Sequence, residues 1–314
     1  MKLFFGVIMI NLGIIDIDTS HPGSFIPILR SFKDIEVTTV YDYGDIWDDK
    51  YVKHFASENK IPNVVKSIDE MLEKIDAVLI QGANWDCHLE RAIPFIEHDI
   101  PVLIDKPIVG SIEDVKKMKK IIDESSSVIF GGSSLLYSDH AVEFSNLITE
   151  EFSIIHAFGM GDVFNYGIHT VAIAQTILGS GAKTITYLKD EDHPSFRIEF
   201  FDERRLYLHL GMKTNYWSLL AQSQKEQYSL TVDTSNVYEA FLRKFVNILK
   251  DEEKYDKSYI SLPLEAASIL LGAKVAMEEQ KTVEIDNLPD SVNFDGLEFM
   301  KEYRELRLKQ WENR

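Results

Sequence analysis

Cysteine is nearly absent. Cys87 alone, in 314 residues, excludes an intrachain disulfide framework and points to a reducing, cytoplasmic setting, with the thiol expected buried and inert. Positive charge is also scarce. Lys and Arg number 33 against 51 Asp and Glu, a formal charge of −18. Phosphate backbones and anionic membranes recruit clustered cations, so neither nucleic acid nor a membrane surface is an expected partner. No long apolar run opens the chain either: Leu3 to Ile15 is broken by Asn11, is short for a membrane span and lacks a small-residue cleavage site. It reads as the lead into a core strand, with Met9 suited to be the natural start and residues 1–8 an extension. The most informative absence is glycine at one turn. In "GIIDIDTSHPGSF", residues 13–25, an apolar run ends in a polar turn before a helical pattern. A dinucleotide-binding turn carries G-x-G-x-x-G here, and its first two glycine positions are held by Asp16 and Asp18.

What is present is a chain with 45% hydrophobic residues, long enough for two domains. Its first part alternates. "NLGIID", "IEVTTVYD", "IDAVLIQG", "PVLID" and "SVIFGG" read as strands. "SFIPILRSF", "SIDEMLEK", "DCHLERAIPFIEH" and "SIEDVKKMKKIIDES" read as helices between them, with Ser24 and Ser67 as N-caps and Pro27 in a first turn. This alternation predicts a doubly wound parallel sheet over residues 1–130. Residues 131–314 change character. "FSIIHAFGMG", "KTITYLK", "FRIEFFD", "RRLYLHLGMK" and "QYSLTVD" read as strands, and "YGIHTVAIAQTILG", "NVYEAFLRKFVNILK" and "PLEAASILLGAKVAMEEQK" as helices. "TVEID" adds a short strand before a charged helical tail, "DGLEFMKEYRELRLKQWEN". The expectation is an α/β domain with a mostly antiparallel open sheet. The apolar alternation of "RRLYLHLGMK" calls for a covering partner, hence a homodimer or homotetramer.

"IDAVLIQGANWDCHLERAIPFIEHDIPVLIDKPIVGS" closely resembles the glucose-fructose oxidoreductase / inositol dehydrogenase / MocA-like family. The turn Gly82-Ala83-Asn84 with His88 following, the E-K-P position reading Asp105-Lys106-Pro107, and the later helix "NYGIHTVAIAQTILGSG" carry the resemblance, which spans roughly residues 9–286. It implies a Rossmann-type dinucleotide-binding domain over residues 1–130, a substrate and oligomerisation α/β domain over 131–314, and hydride transfer between NAD(P) and a sugar or cyclitol carbon. By the same resemblance Lys106 orients substrate and assists proton transfer, and His169 is the general acid/base, a role suited to an imidazole titrating near neutrality. Two departures stand out. The family's acids around this histidine are Asn165 and Ala172 here, so the carboxylate at each position is lost.

The cofactor would meet a non-standard cradle. Thr19, Ser20 and the backbone near His21 supply donors, Gly23 allows one close approach, and Gly82, Asn84 and His88 complete the site. A carboxylate at Asp16 or Asp18 standing about 4 Å from a phosphate would be repelled by ~4 kcal/mol at an effective dielectric near 20. Asp42 ends the second strand, where a carboxylate contacts ribose hydroxyls, and no arginine follows at once, favouring NAD over NADP. Two other readings remain open. Asp16, Asp18, His21, His88 and His169 could gather round a divalent metal, although their spacing is not a metal signature. Or the chain binds a ligand without catalysis, its glycine turn lost.

Overall fold

The computed structural model describes residues 9–148, 152, 154–189 and 193–312. The expected N-terminal extension, the entry of one strand at Ser153 and the last residues of the tail lie outside these.

The first sheet is parallel and six-stranded. Along the chain run β1 (Ile10–Ile15), α1 (His21–Ser31), β2 (Ile35–Tyr41), α2 (Asp49–Glu58), β3 (Asn63–Val64), α3 (Ile68–Leu72), β4 (Ala77–Ile80), α4 (His88–Glu97), β5 (Val102–Ile104), α5 (Ile112–Glu124) and β6 (Ile129–Gly131). The order β3-β2-β1-β4-β5-β6 is that of a dinucleotide-binding sheet, which reverses direction between β1 and β4 and opens its crevice there. Helices cover both faces, so β4 and β5 are apolar at every position and buried throughout. Ser67 and Ser111 cap α3 and α5 by accepting the N–H groups of Glu70 and Asp114. Ser24 does not cap α1. That helix starts at His21, with Pro22 in the first turn where a missing N–H costs nothing, and Pro27 falls inside it. The sequence reading also passed over α2 and β3.

The second half begins with α6 (Asp139–Leu147), β7 (Ile154–Met160), α7 (Gly167–Leu178), β8 (Ala182–Tyr187), β9 (Ser195–Phe200), β10 (Arg205–Met212), β11 (Ser218–Gln222) and β12 (Gln227–Thr231). It closes with α8 (Val237–Leu249), α9 (Ser258–Glu279), β13 (Thr282–Glu284) and α10 (Gly296–Glu312). Its sheet runs β12-β11-β7-β10-β9-β8-β13, antiparallel except for the β7–β10 pair. Here α6 and β11 are additions to the sequence reading. One face of this sheet packs on α7 and α9. The other carries half-buried rings in a stack, His156 on Tyr207 and Phe158 on His209.

The two sheets share their packing. Helix α9 lies against α5 and β6 as well as α7 and β8, and α8 lies against α1. At 22 residues α9 is apolar and long enough to cross a membrane by length and composition, yet most of it is buried within the protein. Helix α10 returns to the first sheet, where Arg307 donates to the carbonyls of Asp18 and Thr19 in the β1–α1 turn. Trp311 meets Tyr51 of α2 edge-on.

Candidate active site

The turn after β1 keeps a glycine-like backbone without glycine. Asp16 sits at φ 65°, a left-handed conformation that Asp tolerates better than most residues. Its carboxylate is buried and makes a 2.5 Å ion pair with Arg91 of α4, which reaches on to Asp45 at 2.5 Å. The Tyr43 N–H also donates to it. Burial nevertheless pushes the Asp16 carboxyl up, to about 7, against the pull of the guanidinium. Asp18 points inward and accepts the Ala83 N–H at 3.0 Å, tying the end of β1 to the end of β4. Its other oxygen is buried without a partner, and burial beside Asp16 and Asp42 raises its pKa well above the usual range. Asp42 accepts the N–H groups of Ile17 and Gly44.

Three residues on from Asp18, at the third fingerprint position, stands His21. Its ring stacks on Phe25 and meets Tyr238 edge-on. Its Nδ1 lies 2.5 Å from the buried Asp105 Oδ2, and the other Asp105 oxygen accepts the Lys106 N–H. The histidine and the backbone hydrogen bond hold the Asp105 carboxyl below its ordinary value despite burial.

A cavity of about 590 Å³ opens between the sheets and α10. Thr19, Ser20, His21 and Gly82 line it from the first domain, with Asp105 and Lys106 at the end of β5. Asn165 and His169 line it from the second, with Tyr166, Trp217 and Tyr238 as aromatic walls. Lys106 Nζ donates to Asn165 Oδ1 at 2.7 Å and to the Asn165 carbonyl at 3.3 Å. Burial pushes the ammonium pKa down, while Asp105 and Asp162 pull it up. Asp162 accepts the N–H groups of Phe164 and Asn165, which fixes the turn presenting Asn165. His169 Nδ1 lies 2.7 Å from Ser133 Oγ. Burial first, then the neighbouring Lys106 ammonium, hold its imidazole well below 6.5, so it is neutral at pH 7.

The expected catalytic trio, Lys106, His169 and Asn165, therefore meets in one cavity. The expected cofactor residues divide. Thr19, Ser20, His21 and Gly82 face the cavity, whereas Asp16, Asp18, Asp42, Asn84 and His88 are bound to protein groups. Asn84 caps the turn through Asp86 N–H and donates to Cys87 Sγ. The thiol is half-buried rather than fully buried, and burial raises its pKa. Each His88 ring nitrogen lies 2.9 Å from a backbone carbonyl, of Pro107 and Gly82, so this side chain clamps the two strand-end turns together. With Asp16 on Arg91 and His88 on carbonyls, the five groups of the metal reading do not converge. Among the described residues no cluster of three or more His, Cys, Asp or Glu forms a metal site. Sequence reading missed Arg91, Asp45, Ser133 and Arg307. Only Arg91 left a trace, as a lone cation within the otherwise apolar face of α4.

Residues 11–133 match the model of the oxidoreductase family with an NAD-binding Rossmann fold, GFO_IDH_MocA. Over these residues the chain is similar to the Gfo/Idh/MocA family. Glucose-6-phosphate 3-dehydrogenase of Bacillus subtilis (strain 168) is 26% identical over 98 residues, 31% of this chain and 26% of that enzyme, so the match spans about a quarter of the relative. Among solved structures, a probable dehydrogenase from Thermotoga maritima superposes with TM-score 0.75 at 13% identity, covering 89% of this chain and 100% of that one. Scyllo-inositol dehydrogenase from Lactobacillus casei, with bound NAD(H) and scyllo-inositol, gives the same four figures. Myo-inositol 2-dehydrogenase from Lactobacillus plantarum gives 0.73, at 11% identity, 88% and 99%. At such identities the likeness is one of fold.

A dinucleotide in this fold lays its pyrophosphate against the turn after β1, in the crevice between β1 and β4. The residues present here do not fit it. An added Cβ at Gly82 would stand 3.0 Å from Arg91 Nη1 and 3.1 Å from Asp16 Oδ2, so the Asp16–Arg91 pair packs closely against the turn after β4. The Ala83 N–H is taken by Asp18, and Arg307 crosses the turn from outside. The obstacle is bulk more than charge. Arg91 offsets part of the charge at Asp16 and burial disfavours ionisation of Asp18, so the simple repulsion expected from two acids is reduced.

Proposed function

We propose that the cavity is the substrate site of an oxidoreductase-family protein acting on a small polyhydroxylated molecule of the sugar or cyclitol class. The observation that carries this reading is the convergence of Lys106, Asn165 and His169 on one aromatic-walled cavity. The similar proteins, dehydrogenases of glucose 6-phosphate and of inositols, support the substrate class.

Asn165 cannot take a proton, so its part is to hold the Lys106 ammonium in place through its side-chain and backbone oxygens. Lys106 then donates a hydrogen bond to a substrate oxygen and favours negative charge there. His169 is neutral at pH 7. With Nδ1 engaged by Ser133, its Nε2 is the nitrogen that removes a hydroxyl proton. Trp217 and Tyr166, both edge-on to the imidazole, hold the ring and exclude water from it. Ligand-observed NMR with glucose 6-phosphate, scyllo-inositol and myo-inositol tests the reading. Binding that weakens at least tenfold in Lys106→Met is expected, and no binding of any polyol rejects it. The ringed face of the second sheet is proposed as the contact between copies in a homo-oligomer.

A further inference from the structure

We infer that this chain has exchanged the dinucleotide for a second acid–base pair: His21, oriented by Asp105, moves a proton at a substrate carbon, and the cavity isomerises an α-hydroxy carbonyl compound. The inference rests on the substrate-site reading above and deepens it.

All three fingerprint positions have changed, and each replacement does something else in the fold. Asp16 binds Arg91, Asp18 binds the Ala83 N–H, and His21 turns into the cavity. The side chains at the first two positions place bulk and internally paired carboxylates where the fingerprint keeps open backbone. The one at the third adds a reactive group where the fold ordinarily keeps only backbone. Three contacts hold the imidazole: Phe25 at 5.3 Å and 8°, Tyr238 at 5.3 Å and 69°, and Asp105 at 2.5 Å. A buried carboxylate on Nδ1 fixes the tautomer and leaves Nε2 as the basic nitrogen, the arrangement by which a histidine is prepared for proton abstraction. Lys106 follows Asp105 directly, so the ammonium and the imidazole approach the same substrate from one strand end.

The chemistry balances without an oxidant. His21 Nε2 removes the proton from the hydroxyl-bearing carbon next to the carbonyl. The C–H electron pair becomes the C=C bond of an enediolate, and the carbonyl π pair moves onto oxygen, facing Lys106. His169 carries a proton from one oxygen to the other. His21 then returns its proton to the former carbonyl carbon. One carbon is oxidised and its neighbour reduced, so no hydride leaves the substrate.

The test uses the full chain with no added cofactor. Titration with NADH, followed by fluorescence and calorimetry up to about 1 mM, is expected to show no saturation, and a Kd below ~100 μM would overturn the inference. In D2O, glyceraldehyde, glucose 6-phosphate and fructose 6-phosphate serve as probes. Enzyme-dependent deuterium at the carbon beside the carbonyl is expected with at least one, falling ~10²-fold in His21→Asn, on the scale of a lost general base. Asp105→Asn should lower kcat more than it raises KM and displace the acid limb of the pH–rate profile. Exchange at the buffer rate with every probe, or full exchange in a folded His21→Asn protein, overturns the proposal. NAD-dependent oxidation of a bound polyol would sink this inference and leave the substrate-site reading standing. Absence of both exchange and polyol binding sinks both.

Discussion

Replacing Arg91 by Met tests whether the altered turn is a built ion network. The change keeps the length of the apolar stem and removes a guanidinium whose side chain is 6% exposed, between Asp16 at 1% and Asp45 at 28%. Asp45 can turn to water, but Asp16 cannot. Breaking one side of a buried pair costs about 3 kcal/mol or more. At ~2.1 cal/mol/K of unfolding entropy per residue, this chain loses about 1.5 °C per kcal/mol, so Tm should fall by ~5 °C. The penalty should also depend on pH. The Asp16 pKa is raised in the folded protein to about 7. Between the ordinary carboxylate value and that point the folded state binds a proton that the unfolded chain has lost, so this group's contribution declines as pH rises. Above about 7 the wild-type carboxyl ionises against Arg91 and the decline stops. Without Arg91 it stays protonated and the decline continues, adding ~2 kcal/mol by about pH 8.5. Urea titrations at pH 6, 7 and 8.5 measure this. Adding Asp16→Asn to Arg91→Met should restore at least half of the loss, since Asn tolerates the positive φ and carries no charge. A loss under about 1 kcal/mol at every pH, or a penalty that shrinks as pH rises, would refute the argument.

Other expectations follow from the same geometry. Asp16→Gly relaxes a positive-φ residue, worth under about 1 kcal/mol, but strands half of Arg91, so a net loss of ~2 kcal/mol is expected by denaturant titration, where stabilisation would contradict the ion-pair account. Once a substrate is found, Lys106→Ala and His169→Ala should each lower kcat by ~10²-fold with folding retained, and near-normal turnover in both removes them from the mechanism. His169 has a depressed folded pKa, so below about 6.5 the unfolded chain takes up a proton that the native state refuses, and stability falls with acid. His169→Gln should flatten that slope by up to ~1.4 kcal/mol per pH unit, and an unchanged slope would show that the ring is charged or solvated. Sedimentation at micromolar concentration should give a dimer or larger species that dissociates in Tyr207→Glu, and a monomeric wild type would reject the sheet-face contact.

Local patterns in the sequence determined the fold because they are set by local physics. The all-apolar strands around Leu79 and Leu103 require cover on both faces, and Ser67 and Ser111 mark helix starts by their hydroxyls. Short or polar elements stayed hidden. The two-residue β3 exists only through its pairing with β2, and α2 is built from charged residues around a thin apolar stripe. Lys106 and His169 were legible because they sit in motifs, at a strand end and on an apolar helix. The meaning of "DIDTSH" was not. Read alone, Asp16 and Asp18 are two charges that ought to repel a phosphate. Whether a carboxylate repels, pairs or takes a proton depends on what faces it, and those partners come from far along the chain: Arg91 from α4, Ala83 from beyond β4, Arg307 from α10. Tertiary packing alone brought them to the turn, and by burying the acids there it made the turn an ion network, with His21 facing the cavity.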